Sequence, residues 1–309
     1  MEDDIIKPVL ISVVGPTAVG KTSLAIKLAR EFKTEIISAD SRQFYKELNV
    51  GTAKPDTEEL SLAKHHFIDS HTIESMYSAG EYGRDAQKLI AQLGKNNKII
   101  IAVGGSGLYL RAIWEGFDEM PPIDPAVRKK LNIELEKSGP EGLLEELKRE
   151  DSIYYAEVDK KNGQRIVRAL EVIRGTGKTF SSFRQARENE LDYDHIKIGL
   201  NMEREVLFER INNRMDNMIR NGLFSEAESL YAFRNHNALQ TVGYSEIFNF
   251  MEEKYDKEEA IRLLKRNSRR YAKRQLTWFR KYEDIHWFKP SEYDDIIKFV
   301  EKQIKLMHK

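Results

Sequence analysis

A glycine-rich segment near the start of the chain constrains the fold more than any other feature. It reads GPTAVGKT and matches the pattern G-x-x-x-x-G-K-[ST]. In this pattern the glycines free backbone N–H groups to surround phosphate oxygens, the lysine supplies a positive charge, and the final hydroxyl is placed to bind Mg²⁺. An apolar, β-branched run precedes the segment and a helical pattern follows it. The sequence therefore predicts a phosphate-binding strand, loop and helix that fits ATP or any other diphosphate or triphosphate. The predicted loop consists of Gly15, Pro16, Thr17, Ala18, Val19, Gly20, Lys21 and Thr22.

Further short apolar runs predict a parallel sheet around this unit. They occupy residues 9–14, 35–38, 99–103 and 195–200, and a helical stretch at 79–93 separates two of them. Near-continuous apolar strands alternating with helices are typical of sheets buried on both faces. The expected fold class is α/β, a P-loop NTPase-like parallel sheet flanked by helices. Long, charged helices are expected from residue 203 to the end.

A stretch without strand signals interrupts this pattern. Between residues 115 and 189, helical patterns occupy 125–136, 142–149 and 163–174. Prolines in GFDEMPPID and glycines in RGTGKTFSS flank the stretch. We therefore expect a core formed by 1–114 and 190–309, with an inserted all-helical subdomain at 115–189.

Composition excludes several classes of chemistry. The 309 residues contain no cysteine, so disulfides, thiolate catalysis and cysteine-ligated metal centres are excluded. Fifty acidic and fifty basic residues leave a net charge of zero, so only local charge can indicate a nucleic-acid partner. The acidic first residues lack an export signal, and the apolar runs are too short to span a bilayer. We expect a cytoplasmic, monomeric protein without membrane association.

Asp40 follows the buried strand EIIS directly, where open α/β sheets bind ligands. It is interpreted either as a Mg²⁺ ligand or general base, or as an Asx turn or helix N-cap. The strand at 99–103 lacks the acidic residue of an ATP-hydrolysing motor and continues into Gly104-Gly105-Ser106-Gly107. The Gly-Lys-Thr at 177–179 lacks the first glycine of the phosphate-loop pattern and is interpreted as an ordinary loop. The seven histidines show no metal-ligand spacing.

Basic residues concentrate in a few segments. Residues 262–281, here called the basic stripe, contain nine Lys or Arg and no acidic residue, interleaved with aromatic residues. The stripe favours contact with a phosphate backbone, although a solvated helix face has the same pattern. Gln164 and Arg168 lie one helical turn apart with Arg165 beside them, and Arg210 and Arg214 have the same spacing. Each group is also compatible with surface salt bridges.

Nine segments together resemble the bacterial tRNA dimethylallyltransferases, in this order and over nearly the whole chain. They are GPTAVGKT, SADSRQFY, NVGTAKP, HHFIDS, VGGSGLYLRA, DPAVRKKL, QRIVRALEV, TVGYSEI and KRQLTWFR. The sequence departs from the family at Ser106, where threonine is usual, but the hydroxyl is kept.

The resemblance implies transfer of a dimethylallyl group from dimethylallyl diphosphate to N6 of adenine 37, in tRNAs that read codons beginning with U, with release of diphosphate. The phosphate loop then holds the diphosphate rather than ATP, with Mg²⁺ as cofactor and Thr22 near the metal. Asp40, Thr17 and Arg214 are implied as catalytic residues, Asp40 being the base that takes the N6 proton. The helical insertion is implied to contact the anticodon stem–loop. The implied tRNA contacts are Asp40, Ser41, Arg42, Gln43, Ser106, Arg128, Gln164, Arg165, Ile166, Val167 and Arg168.

Three alternatives stay open at this point. A nucleoside or small-molecule kinase shares the phosphate loop and a helical insertion, but needs ATP turnover and no basic stripe. A nucleotide-dependent RNA-binding protein would need no catalytic Asp40. An adenylate isopentenyltransferase would use the same chemistry on free AMP or ATP. The helical insertion and the basic segments favour tRNA.

Overall fold

The computed structural model describes residues 7–118, 120–184 and 191–307, and it divides the chain into two compact units. Unit 1 combines Met1–Gly116 with Glu190–Lys309, and unit 2 is Phe117–Asn189. The predicted domain boundary at 189 and 190 lies outside the described residues, as does His308.

Unit 1 contains a parallel sheet, as the sequence predicted. In the described part of the chain the sheet has six strands in the order β3-β2-β4-β1-β5-β6. The strands are β1 (Val9–Val14), β2 (Ile36–Ser38), β3 (His65–His66), β4 (Ile99–Gly104), β5 (Asp194–Leu200) and β6 (Ile285–Phe288). All six residues of β1 are buried, because β4 and β5 pair with it on either side and helices cover both faces.

The two outermost strands were not predicted. The expectation of only helices after residue 203 was wrong at β6, which pairs with β5 from Lys197 opposite Ile285 onward. β6 has four residues and β3 has two. Such short edge strands carry no period that a sequence pattern could reveal, and their position follows from the neighbouring strand.

Helices cover both faces of the sheet because successive β1 side chains point to opposite sides. Val9, Ile11 and Val13 pack in a core with α1 (Lys21–Glu31), α10 (Arg204–Arg220) and α14 (Tyr293–Met307). Leu10 and Val14 pack in a second core with α3 (Ala79–Gly94) and α4 (Gly107–Trp114). The helices of unit 1 are α1 (Lys21–Glu31), α2 (Thr57–Leu62), α3 (Ala79–Gly94), α4 (Gly107–Trp114), α10 (Arg204–Arg220), α11 (Leu223–Ser229), α12 (Ser245–Met251), α13 (Lys257–Phe279) and α14 (Tyr293–Met307), with 3₁₀ turns at Tyr231–Phe233 and Asn237–Leu239.

Unit 2 is helical throughout its described part. Its helices are α5 (Pro125–Ser138), α6 (Glu141–Glu150), α7 (Ser152–Glu157), α8 (Gly163–Thr176) and α9 (Phe180–Phe183). α8 supplies most of the core, which also includes Leu131 of α5 and Leu147 of α6. Arg174 donates hydrogen bonds of 2.6–2.8 Å to the carboxylates of Glu134 and Glu146, and so joins α8 to α5 and α6.

The second Gly-Lys-Thr segment is an ordinary helix connection, as predicted. Gly177 ends α8 with a φ of 70°, a left-handed conformation that favours glycine. Thr179 is the N-cap of α9, and its side chain accepts a hydrogen bond from the Ser182 backbone N–H.

No helix in the described ranges is long and apolar enough to cross a membrane.

Candidate functional site

Three loops meet at one edge of the sheet, where β1, β2 and β4 end. β1 and β4 run in register to Val14 opposite Gly104, and Ser38 of β2 lies opposite Val103. A Cβ on Gly104 would lie 2.2 Å from the carbonyl oxygen of Ala39, so only glycine lets the loop after β2 approach this closely. Three segments are therefore neighbours, as expected at the carboxyl edge of a parallel sheet. They are the phosphate loop after β1, the segment after β2 that contains Asp40 (the Asp40 segment) and the loop after β4 that contains Gly105 (the Gly105 loop).

The phosphate loop has the backbone conformation that its glycines permit. Gly15 has a φ of 144°, and a Cβ there would lie 2.5 Å from the Leu200 carbonyl oxygen. Gly20, with a φ of 107°, precedes α1 in the left-handed region. The first turn of α1 contains no acidic residue, so its positive end remains available to an anion.

Lys21 has a markedly altered acidity. Its Nζ donates a 2.7 Å hydrogen bond to the Pro16 carbonyl oxygen. Burial and, to a smaller extent, the Arg214 charge lower the pKa of Lys21 to about 7, against the opposing influence of the Asp40 charge. Burial also lowers the pKa of Arg214, again against the influence of Asp40. Two cations and one carboxylate thus influence one another beside the phosphate loop.

Asp40 makes the Asx turn that the sequence allowed. Its Oδ1 accepts a 2.9 Å hydrogen bond from the Arg42 N–H. Residues 41–44 are turns, so the helix N-cap interpretation was wrong. No residue in the described ranges donates a hydrogen bond to Oδ2, so the turn occupies only one carboxylate oxygen and leaves the other for a substrate.

Ser41 and Ser106 join the Asp40 segment to the Gly105 loop. The Ser41 N–H donates to the Ser106 Oγ at 3.0 Å, and the Ser106 hydroxyl donates to the Ser41 Oγ at 3.1 Å. Serine at position 106 therefore makes the contact between the loops, although the resembled family usually has threonine there.

Arg214 contacts a loop at residues 49–52 that no motif outside the family resemblance predicted to lie at the site. Its Nη2 donates a long, 3.5 Å hydrogen bond to the Thr52 carbonyl oxygen, which also accepts from Gln43 Nε2 at 3.3 Å. Glu226 holds this loop by accepting backbone hydrogen bonds of 2.9, 2.7 and 2.8 Å from residues 49, 50 and 51. In the sequence, only the NVGTAKP segment of the family resemblance marked this loop as a candidate part of the site.

A pocket of about 240 Å³ opens beside these loops. Its lining includes Ser41, Ser106, Tyr271, Arg274, Gln275 and Trp278. Burial and the Asp40 charge raise the pKa of Tyr271 to about 12, so its hydroxyl stays protonated and can donate. The Trp278 indole N–H is buried, and nothing in the described ranges accepts its hydrogen bond. The pocket therefore offers several donors to a polar ligand.

The basic stripe divides into paired and unpaired cations. Lys265 forms an ion pair with Asp216 at 2.6 Å, Arg262 pairs with Glu259, and Arg269 donates to Asn212 at 2.6 Å. In contrast, the described chain provides no ion pair for Arg270 and Arg274, which are exposed on α13 one turn apart. Only part of the stripe is thus available to phosphates.

In unit 2, the residues implied to contact tRNA have different surroundings. Gln164 and Arg165 are exposed, whereas Ile166 and Val167 are fully buried in the core of α8. Arg128 and Arg168 both donate to Glu171 Oε2, at 3.1 and 2.8 Å. Fewer of the implied tRNA contacts in unit 2 are therefore exposed than the resemblance suggested.

The donor set at the phosphate loop fits Mg²⁺ held mainly by phosphate oxygens. In the described chain, no group of three or more His, Cys, Asp or Glu side chains could hold a metal ion. Mg²⁺ commonly takes only one or two protein ligands together with substrate phosphates. The Thr22 hydroxyl makes no hydrogen bond to any described residue, so it is available as a protein ligand to Mg²⁺.

The sheet, the phosphate loop and the adjoining carboxylate define a P-loop-like α/β protein. Residues 43–282 match the IPP transferase family model. The chain is 50% identical over 296 residues to the tRNA dimethylallyltransferases of Cytophaga hutchinsonii and Christiangramia forsetii, covering 96% of this chain and 97% and 98% of those proteins. The chain belongs to the IPP transferase family and is a prenyltransferase.

Solved structures agree with this assignment. The tRNA isopentenylpyrophosphate transferase of Bacillus halodurans superimposes with a TM-score of 0.72 at 36% identity, covering 98% of this chain and all of that one. A eukaryotic dimethylallyltransferase acting on tRNA gives a TM-score of 0.75 at 26% identity, over 91% of this chain and 73% of that one. The predicted fold class and family are thereby confirmed.

Proposed function

We propose that the chain transfers a dimethylallyl group from dimethylallyl diphosphate to N6 of adenine 37 in tRNAs that read codons beginning with U, releasing diphosphate. The observation that carries the proposal is the mutual influence of Lys21, Arg214 and Asp40 beside the phosphate loop. The two cations suit a departing diphosphate, and the carboxylate suits an amine that must lose a proton.

The reaction follows from these charges. The allylic C–O bond breaks and its electron pair stays on the diphosphate, while the N6 lone pair forms the new C–N bond. Lys21, Arg214 and the backbone N–H groups of the phosphate loop stabilise the growing negative charge, and the Thr17 hydroxyl of the same loop is proposed to assist them. The free oxygen of Asp40 orients N6 and takes its proton.

Mg²⁺ is proposed as the cofactor. When bound, it would neutralise charge on the diphosphate oxygens. Thr22 is the proposed protein ligand because its hydroxyl follows Lys21 at the start of α1.

Recognition of tRNA is proposed to combine base and phosphate contacts. Ser41 and Ser106 line the pocket, and Asp40, Arg42 and Gln43 belong to the same segment as Ser41. A base from the anticodon loop gains access to the pocket by leaving its stack, at a cost of about a few kcal/mol. Arg270 and Arg274 supply unpaired charge for phosphates. In unit 2, the proposed contacts are the exposed Gln164 and Arg165, together with Arg128 and Arg168 beside Glu171. A tRNA substrate would place the reaction in the bacterial cytoplasm.

The test offers radiolabelled dimethylallyl diphosphate and Mg²⁺ to the purified protein with one of three acceptors. They are an unmodified anticodon stem–loop with adenine at 36, 37 and 38, the same loop with guanine at 37, and AMP. We expect label in the first RNA alone. Label in AMP would show adenylate prenyl transfer, and label in both RNAs would contradict transfer at position 37.

A further inference from the structure

Gln275 connects two loops of the site although it belongs to neither. It lies on α13 and is only 6% exposed. Its Oε1 accepts a 2.8 Å hydrogen bond from the Thr17 backbone N–H, and its Nε2 donates a 2.9 Å hydrogen bond to the Gly105 carbonyl oxygen. A primary amide is required here, because one end of the side chain must accept and the other must donate.

The chain leaves room for this amide at Gly105. A Cβ on Gly105 would lie 2.2 Å from Gln275 Nε2 and 3.5 Å from Lys21 Nζ. Gln275 and Lys21 therefore both lie against the Gly105 backbone, and an alanine at position 105 would displace the amide.

The contact with Thr17 fixes one peptide group at both of its polar atoms. The Pro16–Thr17 peptide offers its N–H to Gln275 and its carbonyl oxygen to Lys21 Nζ, at 2.8 and 2.7 Å. If this peptide rotated, the lysine would lose its acceptor and the Thr17 side chain would change direction. Gln275 therefore controls two residues of the phosphate loop through one buried contact.

We propose that Gln275 is a positioning residue for prenyl transfer, holding the Pro16–Thr17 peptide so that Lys21 and the Thr17 hydroxyl face the diphosphate. The role rests on the proposed function, and it makes the end of α13 part of the diphosphate site. Gln275 touches the loop and not the reacting atoms, so its loss weakens diphosphate binding more than tRNA binding, which rests mainly on phosphate contacts.

Two substitutions and a matched control test this role by calorimetric titration with inorganic diphosphate and Mg²⁺. Gln275→Met keeps the length of the side chain and removes both hydrogen bonds. Gln275→Glu keeps an acceptor for Thr17 but, when ionised, cannot donate to Gly105. Thr277→Ala changes an exposed residue of the same helix whose hydroxyl contacts only the Lys273 carbonyl oxygen.

We expect Gln275→Met to weaken diphosphate binding about tenfold, the size of one or two lost hydrogen bonds, with Thr277→Ala unchanged. Gln275→Glu should bind more weakly still at pH 8, and should gain affinity relative to Gln275→Met as its introduced carboxyl protonates. In transfer assays, KM for dimethylallyl diphosphate should rise by a larger factor than KM for tRNA.

Gly105→Ala provides a second route to the same contact, because it displaces the amide from the opposite side. Combined with Gln275→Met, it should add little further loss of diphosphate affinity. Wild-type diphosphate affinity in both Gln275 variants, or equal losses of diphosphate and tRNA affinity, would overturn the positioning role. If wild-type protein transferred no prenyl group while the variants still bound diphosphate weakly, the proposed function alone would fail.

Discussion

Lys21 differs from a surface lysine because its charge depends on what occupies the site. Its pKa is lowered to about 7 by burial and by Arg214, so near neutral pH a large fraction of the free protein carries an uncharged amine. A bound diphosphate favours the ammonium form and raises this pKa. Binding should therefore take up a proton.

The direction in which diphosphate affinity changes with pH follows from the lowered pKa of Lys21. Below pH 7 Lys21 is already charged, whereas above pH 7 it must gain a proton on binding, so affinity for diphosphate should fall by up to about tenfold per pH unit. Titration calorimetry in two buffers of different ionisation enthalpy measures the proton uptake. Lys21→Met reports the titration of the ligand alone, and an identical pH slope in that variant would contradict the prediction.

Asp40 should separate catalysis from binding. Asp40→Asn keeps an acceptor for the Arg42 N–H but no longer offers an anionic base, so prenyl transfer should fall by about 10²–10⁴-fold. Affinity for tRNA should stay within about threefold of wild type, because one neutral substitution leaves the phosphate contacts intact. Single-turnover rates and filter binding measure the two quantities. A parallel loss of both would show that Asp40 binds rather than acts as the base.

At the scale of elements, the loop after Leu48 depends on a helix far along the chain. Glu226 of α11 accepts three backbone hydrogen bonds from this loop and a fourth, of 2.6 Å, from the Tyr244 hydroxyl. A Cβ on Gly51 would lie 2.5 Å from that hydroxyl, so glycine is needed where the loop crosses the ring. The loop in turn presents the Thr52 carbonyl oxygen to Arg214.

Glu226→Gln should therefore reduce both stability and transfer. The amide NH₂ group would face backbone donors, leaving some without an acceptor, at a cost of about 2 kcal/mol in the free energy of unfolding. Urea denaturation measures this cost. Glu228→Gln, an exposed change on the same helix, should stay within about 0.5 kcal/mol of wild type. Equal effects of the two substitutions would contradict the role of Glu226.

The elements also show what a sequence can and cannot predict. The strands beside the phosphate loop were predictable because buried parallel strands are continuous apolar runs, and the position of Asp40 followed from the end of one of them. The contact between residues 17 and 275 was not predictable, because no local pattern marks a partner so distant in sequence. In α8, Ile166 and Val167 were implied as tRNA contacts but lie in the core, because the apolar residues of this helix face one side.

At the scale of the whole molecule, a net charge of zero conceals an uneven distribution. Glu259 and Asp216 pair with Arg262 and Lys265, whereas Arg270 and Arg274 form no ion pair within the described part of the chain, and Arg274 lines the pocket. Phosphate contacts of this kind release counterions and weaken with salt.

Arg270→Ala and Arg274→Ala should each weaken tRNA binding and reduce the slope of log affinity against log salt concentration by about one unit. Arg262→Ala is the matched control, since Glu259 already neutralises that arginine on the same helix. The slope is obtained from tRNA affinities measured over about a sixfold range of salt concentration. Identical slopes for all three variants would exclude Arg270 and Arg274 as phosphate contacts.

The strand order has a consequence for how the chain is made. β1 is the first strand to leave the ribosome, yet one of its two neighbours is β5, with Val9 opposite Asp194, and all of unit 2 is synthesised in between. Until β5 emerges, β1 exposes an unpaired edge that is apolar except for Ser12 and is prone to aggregation. Truncations ending before β5 should therefore be insoluble, whereas those extending through β6 should stay in solution, as centrifugation of translation products would show. The earliest strand made is thus among the last to be completed, and nascent chains need protection until the sheet closes around it.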